Sequence, residues 1–307
     1  IAWPDYAMFW IFTVIKNKSK IPKDFDIIIS VSLPFTSHVC ASILKKSMSS
    51  KWFMDIGDPF SLKDKSFENN RYLYSFFNFY CEKKYFRTAD KVIFTHEEAS
   101  ELHMKKFKIS KSKLVIGHPI SIINPHFIDS SYKFRYINLP IKIGYFGIFT
   151  DGVRDPYNYL NTVASSLKDN IHHYWYIKDE SIKYFSSFKN LNTHVFKTMI
   201  PREDALREMI NNFHILLSIG NKNKYQLPSK VIEYISLGKP VLHYAEILSD
   251  PMYKFETLFD NLKIIDKNTK EKDLLEFLKI FQSNQFEFNY KEFENYFSPK
   301  HIIDNLD

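Results

Sequence analysis

Short apolar runs of strand length alternate with helical stretches along this chain, and the alternation occurs twice, on either side of a proline-framed break. In the first half the runs are 26–31, 51–56, 91–95 and 113–117, with candidate helices near 37–48, 66–87 and 97–107. In the second half they are 141–147, 173–177, 193–196, 213–219, 241–244 and 262–265, with helices near 156–168, 202–211, 228–236 and 272–283. Strands alternating with helices imply parallel pairing through right-handed crossovers. The first-half runs are short, apolar and β-branched, as expected of strands covered on both faces. Residues 122–140 are polar, aromatic and bounded by prolines, and read as a linker. A chain of 307 residues is long for one core and comfortable for two. The expected architecture is therefore α/β, with two doubly wound Rossmann-like domains at 1–134 and 135–290. A C-terminal helical stretch at 291–307, within a helical-looking run from Tyr290 to Asn305, completes it.

One segment carries chemistry. After the run ending at Ile219, Gly220 to Lys224 form a polar loop, followed shortly by Pro228-Ser229-Lys230. Pro228 suits the first position of a helix, where its missing N–H costs nothing. Ser229 and Lys230 then stand among unpaired backbone N–H groups at the positive end of the helix dipole. Glu233 lies on the same face one turn deeper. Gly238 ends the helix and Pro240 prevents its continuation. A hydroxyl, an ammonium and a carboxylate in this pattern suit the diphosphate and ribose of a nucleotide. In open α/β sheets ligands sit beyond the C-terminal ends of the strands, where this segment falls. Pro-Ser-Lys is also an ordinary helix start, and the dipole alone favours a nearby glutamate; the residues by themselves leave both readings open.

Other candidates follow strands in the same way. In the loop 147–156, Gly147 allows close approach of the backbone, Asp155 can cap a helix opened by Pro156, and Arg154 presents a fork suited to phosphate oxygens. The alternative for Arg154 is a solvated surface side chain. Asp55 and Asp58 flank Gly57 after the second strand; they suit acceptor hydroxyls or a developing positive charge, and Asp58 suits equally the cap of a helix starting at Pro59. In Ser32 to His38, Thr36 or Ser37 reads as a helix cap, and His38 is either a cleft-facing catalytic candidate or a structural histidine. His118 is a minor candidate. Asp24-Phe25-Asp26 precedes a strand and reads as a turn, not a metal site.

Composition narrows the classes further. Hydrophobic residues at 45% and charged residues at 25% describe a globular chain rather than a disordered one. Neither a dinucleotide fingerprint nor a P-loop is present among only 7 glycines. Cys40 and Cys81 have no zinc or redox spacing and fit buried thiols in a reducing compartment. A net charge of +7 favours an anionic partner, such as a sugar nucleotide, a polyprenyl phosphate or an acidic membrane surface, and no nucleic-acid motif competes. The apolar run Ala7 to Ile15 is too short to span a bilayer. Followed by Lys16, Lys18 and Lys20, it suits a membrane interface or, more commonly, an amphipathic helix over a core.

The segment PSKVIEYISLGKPVLHY resembles the donor-binding motif of glycosyltransferase family 4 and related GT-B enzymes, written P-S-K-x-x-E-Y-x-x-x-G-K-P. Asp55 to Phe60 resembles the D-x-R-D-P-W stretch of relatives that build bacterial surface polysaccharides, with Gly57 in place of the arginine. Ser32 to His38 resembles the S-x-P-P-F-S-S-H loop. The resemblance runs from about Pro34 to Pro240. It implies a GT-B fold with two domains facing across a cleft, the first truncated at its N-terminus. It also implies a retaining, metal-independent hexosyltransferase that uses a sugar-nucleotide donor, with no further cofactor, and a glycan or polyprenyl-phosphate-linked acceptor. Arg154, Ser229 and Lys230 would hold the diphosphate, Glu233 the ribose, and Gly147 the adjoining loop, with Asp55, Asp58 and His38 on the acceptor side. The setting implied is cytoplasmic, or peripheral on the inner face of the cytoplasmic membrane with contact to anionic lipid, in capsule or lipopolysaccharide synthesis. The family's paired glutamates are half present, since Tyr225 stands at the first position. That departure, with Gly57 and the expected truncation at the N-terminus, leaves open a non-catalytic binding or scaffolding protein of the same fold.

Overall fold

A computed structural model describes residues 3–62, 71–121, 140–164, 171–188, 192–282 and 288–306. The chain divides into two units, Ile1–His118 with Tyr225–Leu227 and Pro299–Asp307, and Pro119–Lys224 with Pro228–Ser298. The expected junction at 134/135, and nearly all of the linker, lie outside the described residues.

Unit 1 holds α1 (Phe9–Asn17), β1 (Ile27–Ser32), α2 (Thr36–Lys45), β2 (Lys51–Ile56), α3 (Arg71–Thr88), β3 (Lys91–Phe94), α4 (Glu97–Phe107) and β4 (Leu114–Ile116). Its four strands are all parallel, in the order β1-β2-β3-β4. Side chains alternate across the pleat. Trp52, Met54, Val92 and Phe94 pack with Phe35, Phe86 and Phe107, while Phe53, Ile93 and Val115 form a smaller cluster. Coverage on both faces holds for β2 and β3 but fails at the edge strand. Ile27, Ile29 and Val31 of β1 are exposed, alternating with Ile28, Ser30 and Ser32. The expected helix over 7–15 forms as α1, yet none of its residues is buried. The expected cap of α2 is also corrected. The carboxylate of Asp5 accepts the Thr36 N–H at 3.0 Å and its hydroxyl at 2.7 Å, and Ser37 donates back to the Val31 carbonyl at 2.5 Å. An anion from outside the helix thus satisfies its positive end. The first residues of the helix expected from 66 lie outside the described residues.

Unit 2 holds β5 (Ile141–Phe146), α5 (Tyr157–Tyr159), β6 (Ile171–Ile177), β7 (His194–Thr198), α6 (Arg202–Asn212), β8 (Ile215–Ile219), α7 (Ser229–Ser236), β9 (Val241–Tyr244), α8 (Tyr253–Glu256), β10 (Leu262–Ile265), α9 (Glu271–Gln282) and α10 (Tyr290–Phe297). Its parallel strands run β10-β9-β8-β5-β6-β7. The first strand is therefore central, with later strands added first on one side and then on the other. Between β5 and β8 the chain reverses direction, so the loops leaving these two strands diverge at a topological switch point. Ile141, Ile143, Tyr145, Trp175, Ile215, Leu217, Leu242 and Tyr244 fill the core around it.

The helical stretch expected across 290–305 is interrupted. Ser298 is extended, at φ −87° and ψ 156°, as the residue before Pro299 prefers, and α11 (Pro299–Asp304) starts afresh. Phe293 and Phe297 of α10 pack their rings against Phe255 and Phe259 in unit 2. The segment of α11 belongs to unit 1, where Leu306 packs on the Phe53 cluster.

Candidate functional site

At the switch point of unit 2 the sequence motif divides into residues that fold the helix and residues left over. Val231, Ile232 and Ile235 bury one face of α7. The Tyr234 hydroxyl donates to the Phe146 carbonyl at 3.0 Å and accepts the Phe146 N–H at 3.2 Å, pinning α7 to the end of β5. Gly238 adopts φ +66° just past the helix, the left-handed conformation expected of it. Lys239 is buried, donating to the Phe213 carbonyl at 2.5 Å, and burial lowers its ammonium to about 7. Pro228 occupies the cap, one position before its expected place, so Ser229 opens the helix. Ser229 and Lys230 are exposed at its tip.

Glu233 is only 15% exposed and is held by cations. Arg202, the first residue of α6, places Nε at 3.0 Å and Nη2 at 2.8 Å from Oε1, and the Lys230 Nζ lies 3.9 Å from Oε2. The sequence reading missed Arg202. Its one local signal was a cation directly after Pro201 at a helix start.

The loop after β5 turns back on itself through paired Thr150 and Arg154 backbone bonds of 2.9 Å, with Gly152 at φ +73°. It is laced to the loop after β8. Arg154 donates from Nε at 3.2 Å and Nη2 at 2.7 Å to Asn221 Oδ1, the Lys222 N–H reaches the Val153 carbonyl at 2.7 Å, and the Lys222 ammonium pairs with Asp155. Asp155 also accepts the Tyr157 N–H at 3.2 Å, close to the capping role expected. Arg154 is therefore fixed to the loop that leads into α7. Gly147 has a reason the sequence did not show: a Cβ there would meet the Tyr145 hydroxyl at 2.8 Å. Burial pushes the Tyr145 phenol up to about 12 although Arg154 opposes the shift. Farther along the same strand edge, Ala245 to Ser249 with Asp266 and Lys267 line a cavity of about 440 Å³. Burial raises the Glu246 carboxyl there, and Asn158 donates to it at 2.7 Å.

In unit 1, Asp55 is the penultimate residue of β2, and burial raises its carboxyl to about 6. Asp58 accepts from the Gln226 amide. The helix start considered at Pro59 does not occur, since residues 59–62 are not helical. His38 is fully buried, with Nδ1 2.8 Å from Ser30 Oγ, which also accepts the Trp52 indole N–H at 2.8 Å. Burial lowers its imidazole to about 3. The placement is corrected from cleft to core: His38 packs the unit and does not meet solvent. His118 is likewise buried, 2.8 Å from the Thr95 carbonyl. Among the described residues, no group of three or more His, Cys, Asp or Glu is arranged to hold a metal ion.

Two parallel α/β units, the second with its central first strand and paired loops at the switch point, make up a fold of the GT-B type. No protein-family model matches this chain, and no curated protein does. Solved structures share the fold. Sucrose-phosphate synthase from Thermosynechococcus elongatus aligns over 97% of this chain and 75% of its own, at TM-score 0.66 and 10% identity. A glycosyltransferase from Rickettsia africae aligns over 100% and 81%, at 0.66 and 13%. Anabaena HepE, solved with UDP and glucose, aligns over 96% and 79%, at 0.62 and 12%.

Proposed function

We propose that this chain is a glycosyltransferase moving a sugar from a nucleotide-diphosphate donor to a glycan or lipid-linked acceptor, with retention at the anomeric carbon and without a metal ion. The observation that carries the reading lies within unit 2. Ser229 and Lys230 stand exposed at the N-terminus of α7, and Arg154 is anchored by Asn221 of the loop that feeds that helix. Cations and free helix amides at the edge of a parallel sheet favour a diphosphate. Their charge would also stabilise the diphosphate as it departs, which is where a transferase needs stabilisation most. Glu233, with Oε1 engaged by Arg202, would offer Oε2, which the Lys230 Nζ approaches at 3.9 Å, to the ribose hydroxyls. In unit 1, a carboxyl raised to about 6 gives Asp55 a proton affinity suited to exchange with an acceptor hydroxyl near neutral pH. Asp58 would orient that acceptor, and His38 takes no part. The HepE complex with UDP and glucose supports a nucleotide sugar as the ligand class for this fold. A bacterial surface polysaccharide made at the cytoplasmic membrane is the pathway setting we favour.

Isothermal titration with a panel of nucleoside diphosphates and their sugars tests the reading. Arg154→Ala and Lys230→Ala should each weaken donor binding about 10- to 100-fold, the value of a charge-assisted hydrogen bond, and abolish transfer. Transfer should persist in EDTA, and NMR of the product should show the donor's anomeric configuration. Unchanged donor affinity in both variants would refute the assignment.

A further inference from the structure

We propose that Arg202 is a positioning residue for the donor's ribose, acting through Glu233, and that it frees Lys230 for the diphosphate. The inference rests on the nucleotide-sugar reading of unit 2 and adds a residue that lies outside the α7 motif. Local signals argue against a role for Arg202 in the fold. It opens α6, where a cation opposes the positive end of the helix dipole. Glu203 and Asp204 follow in the same turn, yet the guanidinium crosses to α7, 31 positions away, and Asp204 pairs with Arg207 at 3.7 Å. The Arg202 side chain is 71% exposed, a setting in which an ion pair contributes little to stability. What the pair does fix is orientation. Nε, at 3.0 Å, and Nη2, at 2.8 Å, both donate to Oε1 of Glu233. The usual fork gives one nitrogen to each oxygen. Here the guanidinium meets the carboxylate from one side, and Oε2 stays outside the pair. A free glutamate samples many rotamers, and an engaged oxygen removes most of that freedom. Oε2 is thereby aimed before any ligand arrives, which lowers the cost of binding.

The second consequence concerns Lys230. It precedes Glu233 on the same face of α7, with Nζ 3.9 Å from Oε2, beyond hydrogen-bond length. While Arg202 neutralises Glu233, the Lys230 ammonium keeps its donors for an anion at the helix tip. Without Arg202, the carboxylate would turn to Lys230 for its counter-charge and hold it away from the diphosphate. One carboxylate between two cations thus divides the work: Arg202 serves the ribose contact, and Lys230 the phosphate contact.

The experiment is isothermal titration of the full chain with uridine, guanosine and adenosine diphosphates, with their 2′,3′-dideoxy counterparts, and with inorganic pyrophosphate. The unsubstituted chain should prefer the ribonucleotide of the base it binds by about tenfold or more, as hydrogen bonds to a charged group provide. Arg202→Met keeps much of the volume and removes the donors. The preference should then fall to within about threefold, and pyrophosphate should bind about fivefold more weakly. Arg202→Lys, with a charge but no fork, should recover part of the preference. Glu233→Gln added to Arg202→Met should cost no further preference and should restore pyrophosphate binding, because the carboxylate competing for Lys230 is gone. Retained preference in Arg202→Met, with nucleotide binding intact, overturns the inference and leaves the transferase reading standing. An equal loss of affinity for ribo and dideoxy ligands does the same, since it marks a residue that serves only the fold. Absence of binding by every diphosphate in the unsubstituted chain overturns both.

Discussion

Two buried ionisable residues give each unit a distinct response to pH. Burial raises Glu82 in unit 1 from its ordinary 4.5 to about 7, its largest influence, against the hydrogen bonds it accepts from Ser61 and Phe60. The folded state then holds a proton that the unfolded chain releases. The stability Glu82 contributes is full below about pH 4.5 and is lost as pH rises through about 7, a change on the order of 3 kcal/mol. Lys239 in unit 2 runs the other way, lowered by burial from 10.5 to about 7. Its unfolded form binds the extra proton, so unit 2 gains stability as pH rises from about 7 toward 10.5. Denaturant titrations across pH should show both limbs, with Glu82→Gln flattening the acidic one and Lys239→Met the alkaline one. Neither behaviour was legible beforehand. The sequence places Lys239 beside a turn and Glu82 inside a helix, but the partners that meet them in their buried positions come from distant chain: the Phe213 carbonyl for one, Ser61 for the other. Arg202 was hidden for the same reason, being 31 positions from the carboxylate it holds.

At the level of elements, α7 depends on residues in and just past its second half. Tyr234→Phe removes both hydrogen bonds to the Phe146 backbone and leaves those groups short of a partner. It should destabilise unit 2 by about 1–3 kcal/mol and weaken donor binding through a loosened helix. Gly238→Ala has space, its Cβ lying 3.6 Å from Phe288 at the nearest, so its cost should be the left-handed backbone alone, about 1 kcal/mol. Thermal unfolding of the two variants checks both values. The strands and most helices were legible, because short β-branched runs and 3.6-residue periodicity are local signals. Helix ends were less so: Pro228 shifted by one position, and Ser298 divided a stretch that looked continuous. The exposure of α1 was legible only as one of two alternatives, since apolar spacing announces a helix without saying which side, if any, is covered.

Over the whole molecule the buried side chains form separate cores, one around β5 and β6 in unit 2 and another around β2 and β3 in unit 1. Scanning calorimetry should resolve more than one transition. Every residue assigned to the donor lies in unit 2, so a nucleotide diphosphate at a hundred times its dissociation constant should stabilise that transition by about 2.7 kcal/mol and leave the other in place. The motif that first drew notice has a double character with a consequence for its history. Tyr234, Gly238 and Lys239 are bound up in keeping α7 seated, and any descendant that ceased turning over substrate would still be selected to retain them. Likeness across those letters reflects what keeps the helix in place; on the function proposed above, Arg154, Ser229 and Lys230 are the positions whose erosion would mark an enzyme fallen silent.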